Sequence, residues 1–251
     1  MKLRYFFDLH LEFIKPNKIE KFIKNISVIN NDVCILAGDI GNSYQNNYDI
    51  FMKFISKNFK KSFVITGNHE YYNKKIEDTN IFLKNYFKQF SNISFLNNEI
   101  EYYNNYCFIG TTLLSNITNS KYKINDVYNI HNFINSLNGI EEYNKLNKQC
   151  IEFLEKSINS NDNCIVITHH ILSSSFIDIK YKTIDMLPYN QWFYCDLDNL
   201  ININKHKIKY CFYEHTYTPS NVKIHNIPFL CNSIGYPNEN IKSNFDIYLD
   251  I

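Results

Sequence analysis

Apolar residues along this chain follow two rhythms. Residues 2–7, 33–37 and 62–66 are short runs rich in apolar and aromatic residues that predict buried strands. Between them, apolar residues recur at helical spacing: Ile19, Phe22, Ile23 and Ile26 after Pro16-Asn17, then Ile50, Phe51, Phe54 and Ile55. Lys53, Lys57, Lys60 and Lys61 predict the solvated side of that second helix. Strand and helix thus alternate three times, which predicts an α/β fold of parallel strands joined by crossover helices.

Downstream the pattern loosens. Residues 76–90 predict a helix, 93–96 a short strand, and 100–110 a hairpin turning at Asn104-Asn105. A long helix is expected over 140–158, a buried strand at 164–168, a helix over 192–203 and a strand at 208–212. Residues 222–224, 228–231 and 245–251 read as antiparallel strands. Segments 111–139 and 173–190 have little periodicity and are expected to form the rim of a site. No repeat or Pro/Gly-rich linker divides the chain, so one domain is expected over residues 1–251.

Composition narrows the function classes. The net charge of +1 creates no long-range field, which argues against duplex nucleic acid and anionic membranes as partners. Any phosphate must therefore be held locally. No apolar stretch is long enough to span a bilayer, and residues 1–7 are too short an apolar run for a signal peptide. Seven scattered cysteines without CxxC spacing predict buried, reduced thiols and a cytoplasmic or otherwise reducing compartment. The heavy use of Asn, Ile, Lys, Tyr and Phe follows A/T-rich codons and carries no chemistry. Glycine is scarce, however, with six in 251 residues, so the place of each one is informative.

The candidate chemistry lies where the strands stop. The predicted strands end in Asp8-Leu9-His10, Gly38-Asp39-Ile40-Gly41, Gly67-Asn68-His69-Glu70, Thr168-His169-His170 and Glu214-His215-Thr216-Tyr217. In open α/β sheets the carboxyl ends of strands form the ligand crevice, so these clusters can meet. Gly38, Gly41 and Gly67 are spent on those turns, where positive φ or close backbone approach is the usual demand. Two divalent ions roughly 3.5–4 Å apart need a carboxylate between them and further anionic and imidazole ligands around them. Asp39 suits the bridge, Asp8 and His10 one ion, and Asn68, His169 and His215 the other. Mixed N and O donors without thiolate favour Mn, Fe, Zn or Mg over a structural zinc cage. His170 is expected beside the ligands or at the rim, and Glu70 as the cap of a following helix or, second to that, as the group that orients His69.

In order and spacing, this series resembles the motifs of the calcineurin-like metallophosphoesterase superfamily. The likeness runs from Asp8 to Tyr217, and Cys231-Asn232-Ser233-Ile234-Gly235-Tyr236-Pro237 resembles the tail of its small bacterial and phage-type members. The resemblance implies a four-layer fold, a β-sandwich flanked by helices, with two divalent metal ions bridged by Asp39. It also implies hydrolysis of a phosphate mono- or diester by a metal-activated hydroxide, with Asn68 positioning the phosphate and His69 assisting the leaving group. A small phosphorylated substrate is expected, with nucleotides among the candidates. The family's last motif is usually Gly-His-x-His, whereas here Tyr217 stands in place of the final histidine. Tyr217 is then a phenolate ligand, the neighbour of a weaker first site completed by water so that only one ion binds tightly, or the mark of a degraded site. The last case would make the chain a non-catalytic scaffold or phospho-ligand-binding protein. Ser233-Ile234 also replaces the Pro-Arg often found in the tail.

Overall fold

A computed structural model describes residues 1–26, 33–134, 136–215, 220–236 and 245–251. In chain order the strands are β1 (Lys2–Phe6), β2 (Val33–Ala37), β3 (Lys61–Ile65), β4 (Ile93–Phe95), β5 (Glu99–Tyr103), β6 (Tyr106–Thr111), β7 (Cys164–Thr168), β8 (Ile208–Phe212), β9 (Ser220–Ile224), β10 (Ile227–Cys231) and β11 (Tyr248–Asp250). One sheet runs β11-β1-β2-β3-β4 and the other β5-β6-β7-β8-β10-β9. The inner pairings are parallel, whereas β11 on β1, β5 on β6 and β9 on β10 are antiparallel.

The central strands β2, β6 and β7 lack polar alternation because both of their faces are covered. Leu3, Tyr5 and Phe7, with Val33, Ile35 and Ala37, point between the sheets, where they meet Phe108, Ile165, Ile167 and Phe212. Phe63 and Phe108 stack across that interface with centroids 3.9 Å apart. Phe6, Cys34, Leu36 and Val64 point outward against α1 (Ile19–Ile23), α2 (Asn46–Asn58) and α3 (Ile76–Tyr86). The outer face of the second sheet packs on α6 (Gly139–Ser160) and α7 (Asp198–Ile203) through Cys150, Leu154, Ile158 and Ile201. The order of layers is therefore helix, sheet, sheet, helix. Each fully buried Leu, Ile or Phe contributes about 1.5–3 kcal/mol relative to exposure, so the layered core is the main stabilising term. All seven cysteines are buried and free.

The expected hairpin is present, with Asn104 at φ 48° and Asn105 at φ 67°, the left-handed pair that a two-residue turn requires. Segment 111–139 holds two short helices, α4 (Asn125–Asn129) and α5 (His131–Ile134). They pack on Trp192, Tyr143 and Tyr71 in a separate apolar cluster over one end of the sandwich.

Three local expectations change. Residues 192–203 are not one helix: Leu187–Trp192 is a 3-10 turn, and only Asp198–Ile203 is α-helical. The chain between them runs extended beside Ile171, with Ile171 N donating to Phe193 O at 3.0 Å and Cys195 N to Ile171 O at 2.8 Å. Those backbone bonds, together with Trp192 Nε1 donating to Tyr122 O at 2.7 Å, outweigh the helical periodicity. The last strand is antiparallel as expected, but it pairs with β1 rather than with its neighbours in sequence. Lys61 lies in β3 rather than on a solvated helix face, with its ammonium donating to Ser94 Oγ at 2.7 Å and paired with Glu101.

Candidate metal centre

The turns after β1, β2, β3, β7 and β8 come together at one end of the sandwich. Backbone bonds lace them: His10 N donates to Asp39 O at 3.0 Å, Glu214 N to His169 O at 3.0 Å, and Gly235 N to Asp8 O at 2.9 Å. Asp8 (φ 49°), His10 (φ 46°), Asp39 (φ 50°) and His215 (φ 72°) all sit in the left-handed region. That conformation costs a non-glycine residue about 1–2 kcal/mol, and such strain gathers at functional sites. Gly67 permits the closest approach, since a Cβ there would overlap Asp39 Oδ1 and stand 2.7 Å from His169 Cε1.

Glu70 does not cap a helix. Its carboxylate accepts four backbone N–H groups: Gly67 at 2.6 Å and Asp39 at 3.0 Å on Oε2, and Ile40 at 2.8 Å and Gly41 at 3.2 Å on Oε1. The side chain thereby ties the turn after β3 to the turn after β2. Burial pushes its carboxyl up to about 7, against the N–H groups that favour the anion.

The decisive geometry surrounds His169. Its Nδ1–H donates to Ala37 O at 3.1 Å, so in the neutral ring Nε2 carries a lone pair. Burial holds this imidazole well below its usual range, which keeps it neutral. Yet Nε2 faces Asn68 Oδ1 at 3.0 Å and Asp39 Oδ1 at 3.6 Å, both of them acceptors. The Asn68 amide cannot be turned around, because its Nδ2 donates to the Asp126 carboxylate at 2.8 Å. With the ring proton on Nδ1 and Asp39 ionised, three acceptors converge there, an arrangement that a cation resolves.

Other atoms agree with a cation. Asp8 Oδ1, Asp39 Oδ2 and both ring nitrogens of His215 are buried without a hydrogen-bond partner. Leaving such groups bare costs several kcal/mol, so the residues present fit divalent cations. Asp39, His169 and His215 have ligand atoms within 4.8 Å of one another, as do Asp8, His10 and Asp39. Asp39 is common to both groups. Burial also holds His215 well below its usual range, as the neutral form a metal takes. Tyr217 lies outside the described residues.

His69 stands beside these groups. Its Nδ1 donates to Glu12 Oε1 at 2.8 Å, and its Nε2 lies 3.2 Å from the Tyr236 hydroxyl. Burial pulls this imidazole down, but Asp39 and Glu12 outweigh it and raise it to about 9. Tyr236 stacks on His10 at 4.1 Å, and Tyr72 on His69 at 4.3 Å. His170 is fully buried rather than at the rim, 4.6 Å from His215 between ring centroids, with burial lowering it to about 4.

Sequence reasoning missed Glu12, Asp126 and Tyr236. Glu12 was legible as the next alternate residue after Asp8 and His10. Asp126 carries no local signal, because it reaches Asn68 from the irregular segment between β6 and β7.

A family model described as calcineurin-like phosphoesterase matches residues 8–219. The chain belongs to this family. A relative, the uncharacterized protein L509 of Acanthamoeba polyphaga mimivirus, is 35% identical over 279 aligned positions, covering 99% of this chain and 96% of L509. Among solved structures, the phosphopantetheinyl hydrolase PptH of Mycobacterium tuberculosis has a TM-score of 0.71 at 15% identity, over 94% of this chain and 90% of that one. GAP50, the anchor in the inner membrane complex of Plasmodium, has a TM-score of 0.50 at 11% identity, over 92% of this chain and 70% of that one. At such identities the likeness is one of fold. The two mixed sheets with flanking helices are the α/β architecture that the resemblance implied. Among the described residues no helix is long and apolar enough to cross a membrane.

Proposed function

We propose that this calcineurin-like chain hydrolyses a phosphate mono- or diester with the help of two divalent cations, drawn from Mn, Fe, Zn and Mg. The observation that carries the reading is the convergence of the acceptors His169 Nε2, Asn68 Oδ1 and Asp39 Oδ1. Asp8, His10 and Asp39 would hold one cation, and Tyr217 stands where the family's last motif has a further histidine. Asp39, Asn68, His169 and His215 would hold the other. Such cations supply Lewis-acid stabilisation of phosphate oxygens and a water of lowered pKa.

The chain's own residues do the rest. Asp126 fixes the Asn68 amide, and Glu70 holds the Gly38–Gly41 and Gly67–His69 turns in register. Glu12 keeps a proton on His69 Nδ1 and aims Nε2 toward the position of a substrate oxygen, where the imidazole can contact phosphate and give a proton to the leaving group. The substrate class is a small phosphorylated molecule, with nucleotides among the candidates, acted on by one domain in a reducing compartment such as the cytoplasm. The buried, free cysteines are compatible with that setting.

Two substitutions test the reading, with metal content and turnover of aryl phosphate mono- and diesters measured in Mn(II). His69→Ala should keep its metal and lose about 10²–10⁴-fold in rate, the usual worth of a general acid or base. Asp39→Ala should lose both metal and turnover. Full activity and equal metal content in the two variants would end the assignment. Tyr217 supports a second reading, a non-catalytic binding or scaffold protein. Wild-type chain that takes up metal but turns over no ester would favour it.

A further inference from the structure

The irregular segment between β7 and β8 builds a cavity against the candidate centre. Ile171, Ile177, Tyr181, Met186 and Phe193 line it together with His215, in a volume of about 90 Å³. The chain itself holds these walls in place. Phe176 anchors the segment by stacking on Tyr213 with centroids 4.9 Å apart, and a backbone bond joins Ile171 to Phe193. The two other polar side chains at the cavity are engaged by the segment's own backbone: Asn190 Nδ2 donates to Tyr181 O at 3.0 Å, and Asp178 Oδ1 accepts Lys180 N at 3.0 Å. What faces the space is mostly apolar. Met186 is partly exposed, so the cavity opens to solvent.

Its place beside the cation ligands gives the cavity a use. His215 belongs both to the cavity wall and to the group with Asp39 and His169 whose ligand atoms lie within 4.8 Å of one another. The Phe193 ring packs on the same imidazole with centroids 4.7 Å apart. A phosphate drawn to that group carries its organic substituent only one ester oxygen away, and a concave apolar space with few polar groups is the usual form of a small-molecule site. No Lys or Arg lines the cavity, and its one carboxylate, Asp178, would repel a second anionic group. Size sets the other limit. An apolar cavity of about 150 Å³ takes up benzene. The smaller space here holds a short branched alkyl chain and is exceeded by the fused rings of a purine.

We infer that this cavity receives the organic part of the ester and selects a compact, uncharged apolar group over a purine base. The inference rests on the phosphoesterase reading above and narrows its substrate class.

The test compares methyl, isobutyl and adenosine phosphate monoesters and their aryl diesters in Mn²⁺, reading kcat/KM. Isobutyl should exceed methyl by about tenfold or more, the usual worth of added methylenes in an apolar pocket. Met186→Trp, which fills the cavity from its open side, should remove most of that gain. Ile184→Trp, on an exposed residue of the same segment outside the cavity, should keep it. Binding is read separately by nuclear magnetic resonance of the methionine methyl groups in Zn²⁺-loaded chain. Isobutylphosphonate should shift the Met186 signal and leave that of fully buried Met52 in place. Equal turnover of methyl and isobutyl esters, or adenosine monophosphate cleaved as well as the isobutyl ester, would overturn the subsite and leave the hydrolase reading intact. Absence of turnover with a shifted Met186 signal would end the hydrolase reading and keep the subsite. Absence of both turnover and shift would overturn the two together.

Discussion

Replacing Glu70 with glutamine isolates the contact that joins the two central turns. In the native chain each carboxylate oxygen accepts two backbone N–H groups, from Gly67 and Asp39 on one side and from Ile40 and Gly41 on the other. Glutamine keeps the volume and one acceptor, but it turns an NH₂ toward a pair of N–H donors. Two buried amide groups then lose their partner, and each orphan costs about 1–3 kcal/mol, for a total of about 2–6 kcal/mol. Removing a buried charge relieves some desolvation, which pulls the outcome toward the lower end of that span. Even about 2 kcal/mol is a large share of a stability that is typically about 5–15 kcal/mol. Urea unfolding of the chelator-treated protein reads the loss without any contribution from bound metal. Exposed Glu155→Gln is the control and should change stability by no more than about 0.5 kcal/mol. Glu70→Gln matching that control would refute the view that this side chain anchors the turns.

Two further outcomes follow from the packing. Gly67→Ala should abolish divalent-cation uptake, measured by metal analysis, because its Cβ would overlap Asp39 Oδ1 and crowd His169 Cε1. A variant that binds metal normally would show that the turn has slack. Trp192, the one tryptophan of the chain, is fully buried in the cluster formed with α4, α5 and α6. Its fluorescence should therefore lose native character at the same denaturant midpoint as far-UV circular dichroism if residues 1–251 fold as one cooperative unit. Separated midpoints would divide the chain.

The layered fold was legible because its signal is local. Strands such as 33–37 are apolar at every position when both faces are covered, and α6 carries its apolar stripe over more than five turns. Where tertiary bonds decided the outcome, local pattern misled. The segment after Trp192 has helical spacing, yet its backbone is claimed by Ile171, and the partner of β11 is β1, more than two hundred residues away. Neither pairing leaves a mark within its own window of sequence.

The candidate site divides in the same way. Asp8, His10, Asp39, Asn68, His169 and His215 could be picked out because each follows an apolar run directly, and scarce glycines mark the turns that bring them together. The groups that orient them could not. Asp126 sits in an irregular segment, and Glu70 looks like any acid at the start of a helix until its four donors are in view. These orienting groups are acceptors aimed at backbone or amide N–H, so they fix where the candidate ligands point without neutralising their charge. His69 faces Asp39 from within the chain, and a cation from outside the polypeptide would supply the remaining neutralising charge. The left-handed strain at Asp8, His10, Asp39 and His215 leads to the same conclusion, since the chain holds acceptors together at a cost that the binding of cations would offset.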